Sequence, residues 1–468
     1  MTVEAQTEAM TVSPFRILSR AHGVRAGVFR PPAACPIRPI HTPEMIVPTS
    51  RGTIPHLTPD NVSRNVPSIA GLHVGIEDYM DKTAMAAPLA IEAGRPGGHS
   101  LREYISVLPP QAAPGEQLPI FVSPRRANPI PSPQPNGDKA VSIQTSAGFR
   151  PVDVDDYLAF VERTTRDDGV VMLSPVDMPM VPGRKPRIGG NRIKKMLLRN
   201  SRWSAASTDR SALASVFAPI IPGLAWAMQK TYVDELVAYA AAGRLAGLTL
   251  WDLESRHIPE SPIKLSAEEE ESTASGVHWD HLPEALADVL RFSMSDLEGP
   301  HQALNTIAAG FDLIGGDFVL KTTDRGLAFT FTLPTTETAV PAEPAPLAIN
   351  LWDRELFQYD TKPLVEGCQC FACKNHHRAY ITHLLAVKEM VAWTLLQIHN
   401  LHVAGQLLAD VREAIAAGDF AARLALFEVS YATDASLNVE SPGPRVRGYQ
   451  VRLGRATERL NPSPFHSL

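Results

Sequence analysis

From residue 140 to residue 333 the chain alternates short apolar runs with longer amphipathic stretches, and this alternation limits its folds more than any other feature. Residues 140–145, 169–173, 214–221, 245–250 and 291–294 read as strands. Residues 152–163, 233–242, 282–290 and 300–309 read as the intervening helices, and further short strands are expected at 311–313, 318–320 and 328–333. Upstream, residues 15–29, 72–76 and 118–122 add strands, and a helix starts at Thr58-Pro59-Asp60, where Thr58 suits the cap and Pro59 the first turn. Strands separated by helices form parallel sheets through right-handed crossovers. Over this length a (β/α)8 barrel is the favoured closure, and an open doubly wound sheet is the alternative.

Other segments interrupt the pattern. Nine prolines between residues 109 and 135 predict an insertion without regular elements. Residues 255–276, with four consecutive glutamates at Glu268–Glu271, predict an acidic surface loop. The organisation expected is a disordered 1–14, a barrel over 15–346, a helical subdomain over 347–430 and a flexible tail over 431–468. The five arginines among the first forty residues, shared by many targeting peptides, are read as part of a first strand.

A formal charge of −6 excludes a uniformly basic nucleic-acid binder, so any RNA contact must be local. One local excess exists: eight basic residues and no acid between residues 184 and 202. On a helix beginning near Asn191, Ile193, Met196 and Leu197 would face the core, with Lys194, Lys195, Arg199 and Arg202 in solvent. Arg184, Lys185, Arg187, Lys194, Lys195 and Arg199 are therefore candidate phosphate contacts, with a merely solvated helix face as the competing reading. No run of 18 apolar residues is present, so no transmembrane helix is expected.

Three of the four cysteines fall in Cys368-Gln369-Cys370-Phe371-Ala372-Cys373. Three thiolates at this spacing need one histidine to complete a tetrahedral zinc site, and thiols that must stay reduced suit the cytosol. His376 could close the site locally and His399 could do so from a helix folding back. Spacing alone leaves both open. Tyr380, Leu384, Val387, Val391, Leu395 and Ile398 predict one apolar stripe along a helix from residue 378, with further helices at 403–416 and 421–429.

These residues carry a family likeness. The cysteine cluster, His376-His377-Arg378-Ala379-Tyr380, Lys388-Glu389-Met390 and His399-Asn400-Leu401 resemble the zinc-binding C-terminal region of tRNA-guanine transglycosylases. Gly310-Phe311-Asp312-Leu313-Ile314-Gly315-Gly316-Asp317 and Asp324-Arg325-Gly326-Leu327-Ala328-Phe329-Thr330 resemble the same family around its nucleophile. The likeness runs from about residue 15 to about residue 427. It implies a (β/α)8 barrel with an inserted or C-terminal zinc-binding helical subdomain, and one structural Zn2+ held by Cys368, Cys370, Cys373 and His399.

The departures matter equally. Counted back from Gly326, the family's nucleophilic aspartate falls on Gly315. The family's second catalytic aspartate has no counterpart, its place being taken by Phe121-Val122-Ser123-Pro124. The pattern therefore resembles the non-catalytic accessory branch of the family, as do Thr42-Pro43-Glu44, Pro55-His56-Leu57-Thr58 and Lys139-Ala140-Val141-Ser142-Ile143. That resemblance implies no catalytic residues. It implies a heterodimer with the catalytic subunit of queuine tRNA-ribosyltransferase, leaves room for a homodimer, and brings tRNA in through the complex. It also implies a cytoplasmic complex with peripheral association to the mitochondrial outer membrane. The competing expectation is an active transglycosylase using a shifted carboxylate, Asp312 or Asp317.

Overall fold

A computed structural model of the chain describes residues 13–21, 23–31, 36–66, 68–79, 101, 117–127, 132, 135–145, 148–164, 169–178, 190–210, 216–221, 226–251 and 282–444. The acidic insert expected at 255–276 and most of the proline-rich stretch lie outside the described residues, as do residues 1–12 and 445–468.

The chain opens with β1 (Phe15–Ala21), β2 (Val24–Phe29) and β3 (Ile40–Thr42), which form a small antiparallel sheet. The expected single first strand over 15–29 is thus a hairpin, turned at Gly23, whose φ of +84° favours glycine. Then come β4 (Glu44–Pro48), α1 (Pro59–Asn65), β5 (Leu72–Gly75), β6 (Ile120–Ser123), the hairpin β7 (Ala140–Thr145) and β8 (Gly148–Asp153), α2 (Val154–Thr164) and β9 (Val170–Leu173). They are followed by α3 (Gly190–Arg210), β10 (Val216–Ile220), α4 (Trp226–Ala241), β11 (Gly247–Leu250), α5 (Glu284–Ala287), β12 (Leu290–Ser293), α6 (Pro300–Ala308), β13 (Leu313–Gly315) and α7 (Asp317–Asp324).

Strands β4, β5, β6, β9, β10, β11, β12 and β13 close in that order into a barrel, every neighbouring pair parallel. The (β/α)8 expectation holds and the open sheet is excluded. Alternate strands β4, β6, β10 and β12 send Ile46, Phe121, Phe217 and Phe292 inward as one layer of the barrel core. Phe121 meets Phe217 and Phe292 edge-on, with ring centroids 5.9 and 5.4 Å away. Phe29 of β2 closes the N-terminal end of the barrel, 5.8 Å from Phe217. Space for these rings comes from Gly247 on β11: a Cβ there would lie 2.3 Å from Phe217 Cε1. The same end is tied by buried Arg25, whose Nε donates to Asp312 Oδ1 at 3.0 Å and whose Nη1 and Nη2 reach the carbonyls of Ala287 and Val289.

Two expected elements differ. Residues 318–320 belong to α7, not to a strand: β13 ends at Gly315, Gly316 caps the helix that follows, and Asp317 opens it. Residues 282–290 yield only the short α5, because Leu290 already begins β12.

After α7 follow β14 (Leu327–Phe329), β15 (Ala348–Asn350), α8 (Arg354–Phe357), α9 (Phe371–Asn375), α10 (Arg378–Ala386), α11 (Met390–Ala417) and α12 (Phe420–Ser430). The expected continuous stripe from Tyr380 to Ile398 is broken at Lys388, which has φ +58°. Leu384, Leu395 and Ile398 are buried, whereas Tyr380, Val387 and Val391 are exposed, because α10 and α11 meet the core with different faces. Helix α11 then runs unbroken through residue 402 and packs against β1, β2, β4, α7 and β14. Arg412 near its end donates to Glu44 Oε2 at 2.8 Å.

Candidate functional site

The metal-ligating residues come from two elements. Cys370 caps α9, its Sγ accepting from the Cys373 backbone N–H at 3.3 Å, so the short helix brings Cys373 back beside it. Cys368 precedes them after a turn at Gly367, with φ +77°. His399 lies within α11, with no solvent exposure. Its Nδ1 is 3.8 Å from Cys368 Sγ, 3.5 Å from Cys370 Sγ and 3.4 Å from Cys373 Sγ. All four ligand atoms fall within 4.8 Å of one another. A tetrahedral ion bonded to sulfur at about 2.3 Å and to nitrogen at about 2.0 Å would have sulfur–nitrogen edges of about 3.5 Å. The cluster can therefore hold a metal ion.

The tautomer is set from behind. His399 Nε2 donates to the Phe329 carbonyl at 2.8 Å, which leaves the Nδ1 lone pair for a metal. The next residue takes the other backbone group of the same strand position: Asn400 Oδ1 accepts from Phe329 N at 2.9 Å. Asn400 Nδ2 donates to Thr323 Oγ1 and to the Leu327 carbonyl, each at 3.0 Å. His376, the local alternative, points away and stacks on Tyr380 with centroids 5.2 Å apart. His402 lies one turn after His399 beside Cys368, outside the ligand set. With the thiols this close, hydrogen bonds from Cys370 and Cys373 draw the Cys368 thiol well down, while the Cys370 thiol is pushed up.

The second place to look for chemistry is the C-terminal end of the barrel strands, where such barrels bind substrates. Gly315, the last residue of β13, is buried there, and a Cβ on it would lie 3.7 Å from Asp317 Oδ2. Asp317 is buried, and burial, with Asp296 adding and Lys321 opposing, pushes its carboxyl up to about 7. Asp312 is at the opposite end. It precedes β13, is held by Arg25 and by Arg291 N at 2.8 Å, and is raised by burial against the pull of Arg25. The expectation that Asp312 could serve as a shifted nucleophile is therefore incorrect.

On β6 the Ser123-Pro124-Arg125-Arg126 turn fills the mouth with the chain's own groups. Ser123 Oγ is 2.8 Å from His73 Nε2, and burial holds the imidazole down at about 3, so it stays neutral. Buried Arg125 donates to Asn136 Oδ1 at 3.0 Å and to the carbonyls of Ser142 and Val176. Arg126 Nε meets Asp78 Oδ1 at 2.6 Å, and its N–H meets Glu77 Oε1 at 2.8 Å.

Of the basic stretch, Arg184, Lys185 and Arg187 lie outside the described residues. Lys194, Lys195 and Arg202 are exposed on α3 as expected. Arg199 is not: it is buried and donates to Asp177 Oδ2 at 2.8 Å and to Asp138 Oδ1 at 2.9 Å. The expectation of a solvated Arg199 is corrected, because Asp177, fully buried after β9, needs a cation. Sequence reasoning missed Asp177 altogether; its signal was a lone acid in the apolar run from Val170 to Met178.

A family model described as queuine tRNA-ribosyltransferase matches residues 132–433. The chain is similar to queuine tRNA-ribosyltransferase accessory subunit 2 of Schizosaccharomyces pombe, 31% identical over 420 residues that cover 88% of this chain and 83% of that protein. It is also similar to the accessory subunit 2 of Xenopus tropicalis, 34% identical over 182 residues covering 33% of this chain and 43% of that one. A shorter stretch of 73 residues, 16% of this chain and 19% of the relative, is 51% identical to queuine tRNA-ribosyltransferase of Clostridium perfringens. With its closed parallel barrel and its Cys3His cluster, the chain belongs to the queuine tRNA-ribosyltransferase family.

Proposed function

We propose that this chain is the non-catalytic subunit of a queuine tRNA-ribosyltransferase, working with a catalytic chain in the exchange of guanine for queuine at the tRNA wobble position. The observation that carries this reading is Gly315. Covalent base exchange needs a nucleophile at the barrel mouth together with a positioned acid or base. At the end of β13 this chain offers a residue without a side chain, and at the end of β6 it offers Ser123 against the neutral His73 of β5, followed by a buried, hydrogen-bonded Arg125 and an ion-paired Arg126. The similarity to accessory subunits of two organisms supports the same role.

Cys368, Cys370, Cys373 and His399 would hold one Zn2+. Four protein ligands leave no open coordination position, so the ion supplies folding energy and not a site for substrate. Three adjacent reduced thiols support a cytosolic setting. Among the described residues no helix is long and apolar enough to cross a membrane. Lys194 and Lys195 are the residues of α3 best placed to meet tRNA phosphates. The test is base exchange, measured as incorporation of labelled base into tRNA by the purified chain alone and with a catalytic partner. Exchange only in the mixture is expected, and exchange by the chain alone overturns the reading.

One observation favours a second reading, an active enzyme with a shifted nucleophile: Asp317 is buried beside Gly315. Asp317→Asn in the assembled complex should leave exchange nearly unchanged under the first reading and abolish it under the second.

A further inference from the structure

Strand β1 is the outer strand of the N-terminal sheet. It pairs with β2 on one side, and among the described residues no strand meets its other edge. In an antiparallel pair alternate residues turn their N–H and C=O groups away from the partner, so β1 keeps a row of backbone donors and acceptors open to an incoming strand. A groove of about 460 Å³ follows this edge, lined by Arg16, Ile17, Leu18, Ser19 and Arg20 and, from between α5 and β12, by Asp288. The period of the strand sorts its side chains. Phe15, Ile17, Ser19 and Ala21 turn towards the body, where Ser19 Oγ lies 3.5 Å from the Ile415 carbonyl of α11. Arg16, Leu18 and Arg20 face solvent, Leu18 being 58% exposed. The groove sits at the N-terminal end of the barrel, opposite the mouth that holds Gly315, and its Ile415 wall is about 24 Å along α11 from His399.

We propose that β1 is a docking edge for a short, extended, acidic segment of a partner protein, which adds a strand to the sheet. Main-chain hydrogen bonds supply the affinity of such an addition, and the outward side chains supply its specificity. Opposed residues of a strand pair have Cβ atoms about 4.5–5.5 Å apart, so an antiparallel segment with an aliphatic residue and, two positions on, an acid would meet Leu18 and Arg16. Charge selects the acid. Arg16 has no carboxylate partner among the described residues, whereas Arg20 is already paired with Asp288, which leaves the groove one positive charge in excess. The same charges argue against a second copy of this chain, since two β1 strands laid antiparallel about Leu18 would set Arg16 opposite Arg20 at both ends. An RNA backbone would use the arginines but leave Leu18 and the open row of backbone groups unmatched. Charges and the bulge between Ile17 and Ser19 would by themselves only guard the edge; the exposed leucine and the groove are what a docked strand uses. The bulge also keeps the docked segment short, because regular pairing ends there. Lying away from both the mouth and the cysteine cluster, the edge suits a partner that tethers or regulates the chain and not a substrate.

The test uses the full chain and a fluorescein-labelled peptide, Thr-Thr-Val-Thr-Glu-Thr-Thr, with binding followed by anisotropy at about 0.1 M salt. Amide hydrogen exchange is read across residues 15–21 with and without peptide. Saturable binding at or below about 1 mM is expected, with slower exchange in β1. Replacing the peptide's glutamate by lysine should weaken binding at least about tenfold, and Arg16→Glu in the chain should reverse that preference, so that the lysine peptide binds better. Arg16 is exposed, and an unchanged melting temperature of the Arg16→Glu chain verifies its fold. Absence of binding by the wild-type chain, equal affinity for the two peptides, or binding without added protection in β1 overturns the proposal. A concentration-dependent dimer in analytical ultracentrifugation that Arg16→Glu abolishes also overturns it and assigns the edge to a second copy. Displacement of the peptide by tRNA, with Arg16→Glu lowering tRNA affinity, overturns it in favour of a phosphate contact.

Discussion

Arg199 turns inward from α3 so that its Nη1 lies 2.8 Å from Oδ2 of Asp177, a carboxylate with no solvent exposure. Arg192, one-third exposed, also reaches the carboxylate at 3.2 Å, and buried Arg125 adds to the positive field around it. Removing the nearest and more buried partner of a buried carboxylate leaves its charge under-compensated, so Arg199→Ala should cost about 3 kcal/mol in urea unfolding. Lys195→Ala, on the solvent face of the same helix, should change stability by less than about 0.5 kcal/mol and lower only tRNA affinity. Equal destabilisation by both would contradict the division of α3 into a structural and a solvent face.

The metal centre makes a sharper demand. His399→Ala or Cys373→Ser should take bound zinc, measured by elemental mass spectrometry, from about one per chain to near none, and should lower the melting temperature. A metal bound by four protein ligands contributes directly to folding free energy. Retention of stoichiometric zinc by the His399 variant would mean that another histidine closes the site.

Overpacking provides a test confined to the barrel core. Gly247→Ala places a methyl group against the Phe217 ring and should cost about 1–3 kcal/mol. Phe217→Leu in the same chain should recover part of that loss, giving a favourable coupling in a double-mutant cycle.

Asp317 sets a pH dependence. Its folded value of about 7 exceeds the ordinary 3.8, so between those values the folded chain keeps a proton that the unfolded chain has released. The favourable contribution is complete below about pH 4 and is lost as pH rises through 7. Asp317→Asn should therefore match or trail wild type at pH 4 and gain on it towards pH 8, by an amount on the order of 4 kcal/mol. Parallel stability curves for the two proteins from pH 4 to 8 would show that the carboxylate is not penalised.

What could be read from sequence follows from the range of each interaction. The barrel strands announce themselves as apolar runs such as Val216–Ile220 because both faces are buried, and the ligand cysteines announce themselves by spacing. His399 could be separated from His376 only through family likeness, since the fold-back of α11 against β14 is a long-range interaction. The strand expected at 318–320 failed because three apolar residues fit a helix face as well as a strand. Arg199 was misplaced because helical periodicity ranks a charged residue as solvated unless its buried partner is known, and Asp177 lies 22 residues away in sequence.

His399 and Asn400 grip the carbonyl and the N–H of one residue, Phe329, so the metal site and the two-stranded β14–β15 sheet share a single residue. Stripping the ion would thus loosen the pairing of β14 with β15 as well as the short α9 segment that carries the thiols. The cellular corollary is that metal supply becomes a checkpoint on subunit abundance: chains made under zinc starvation should be degraded faster than metal-replete ones in a pulse-chase measurement. Equal half-lives in the two conditions would break this link between nutrition and assembly.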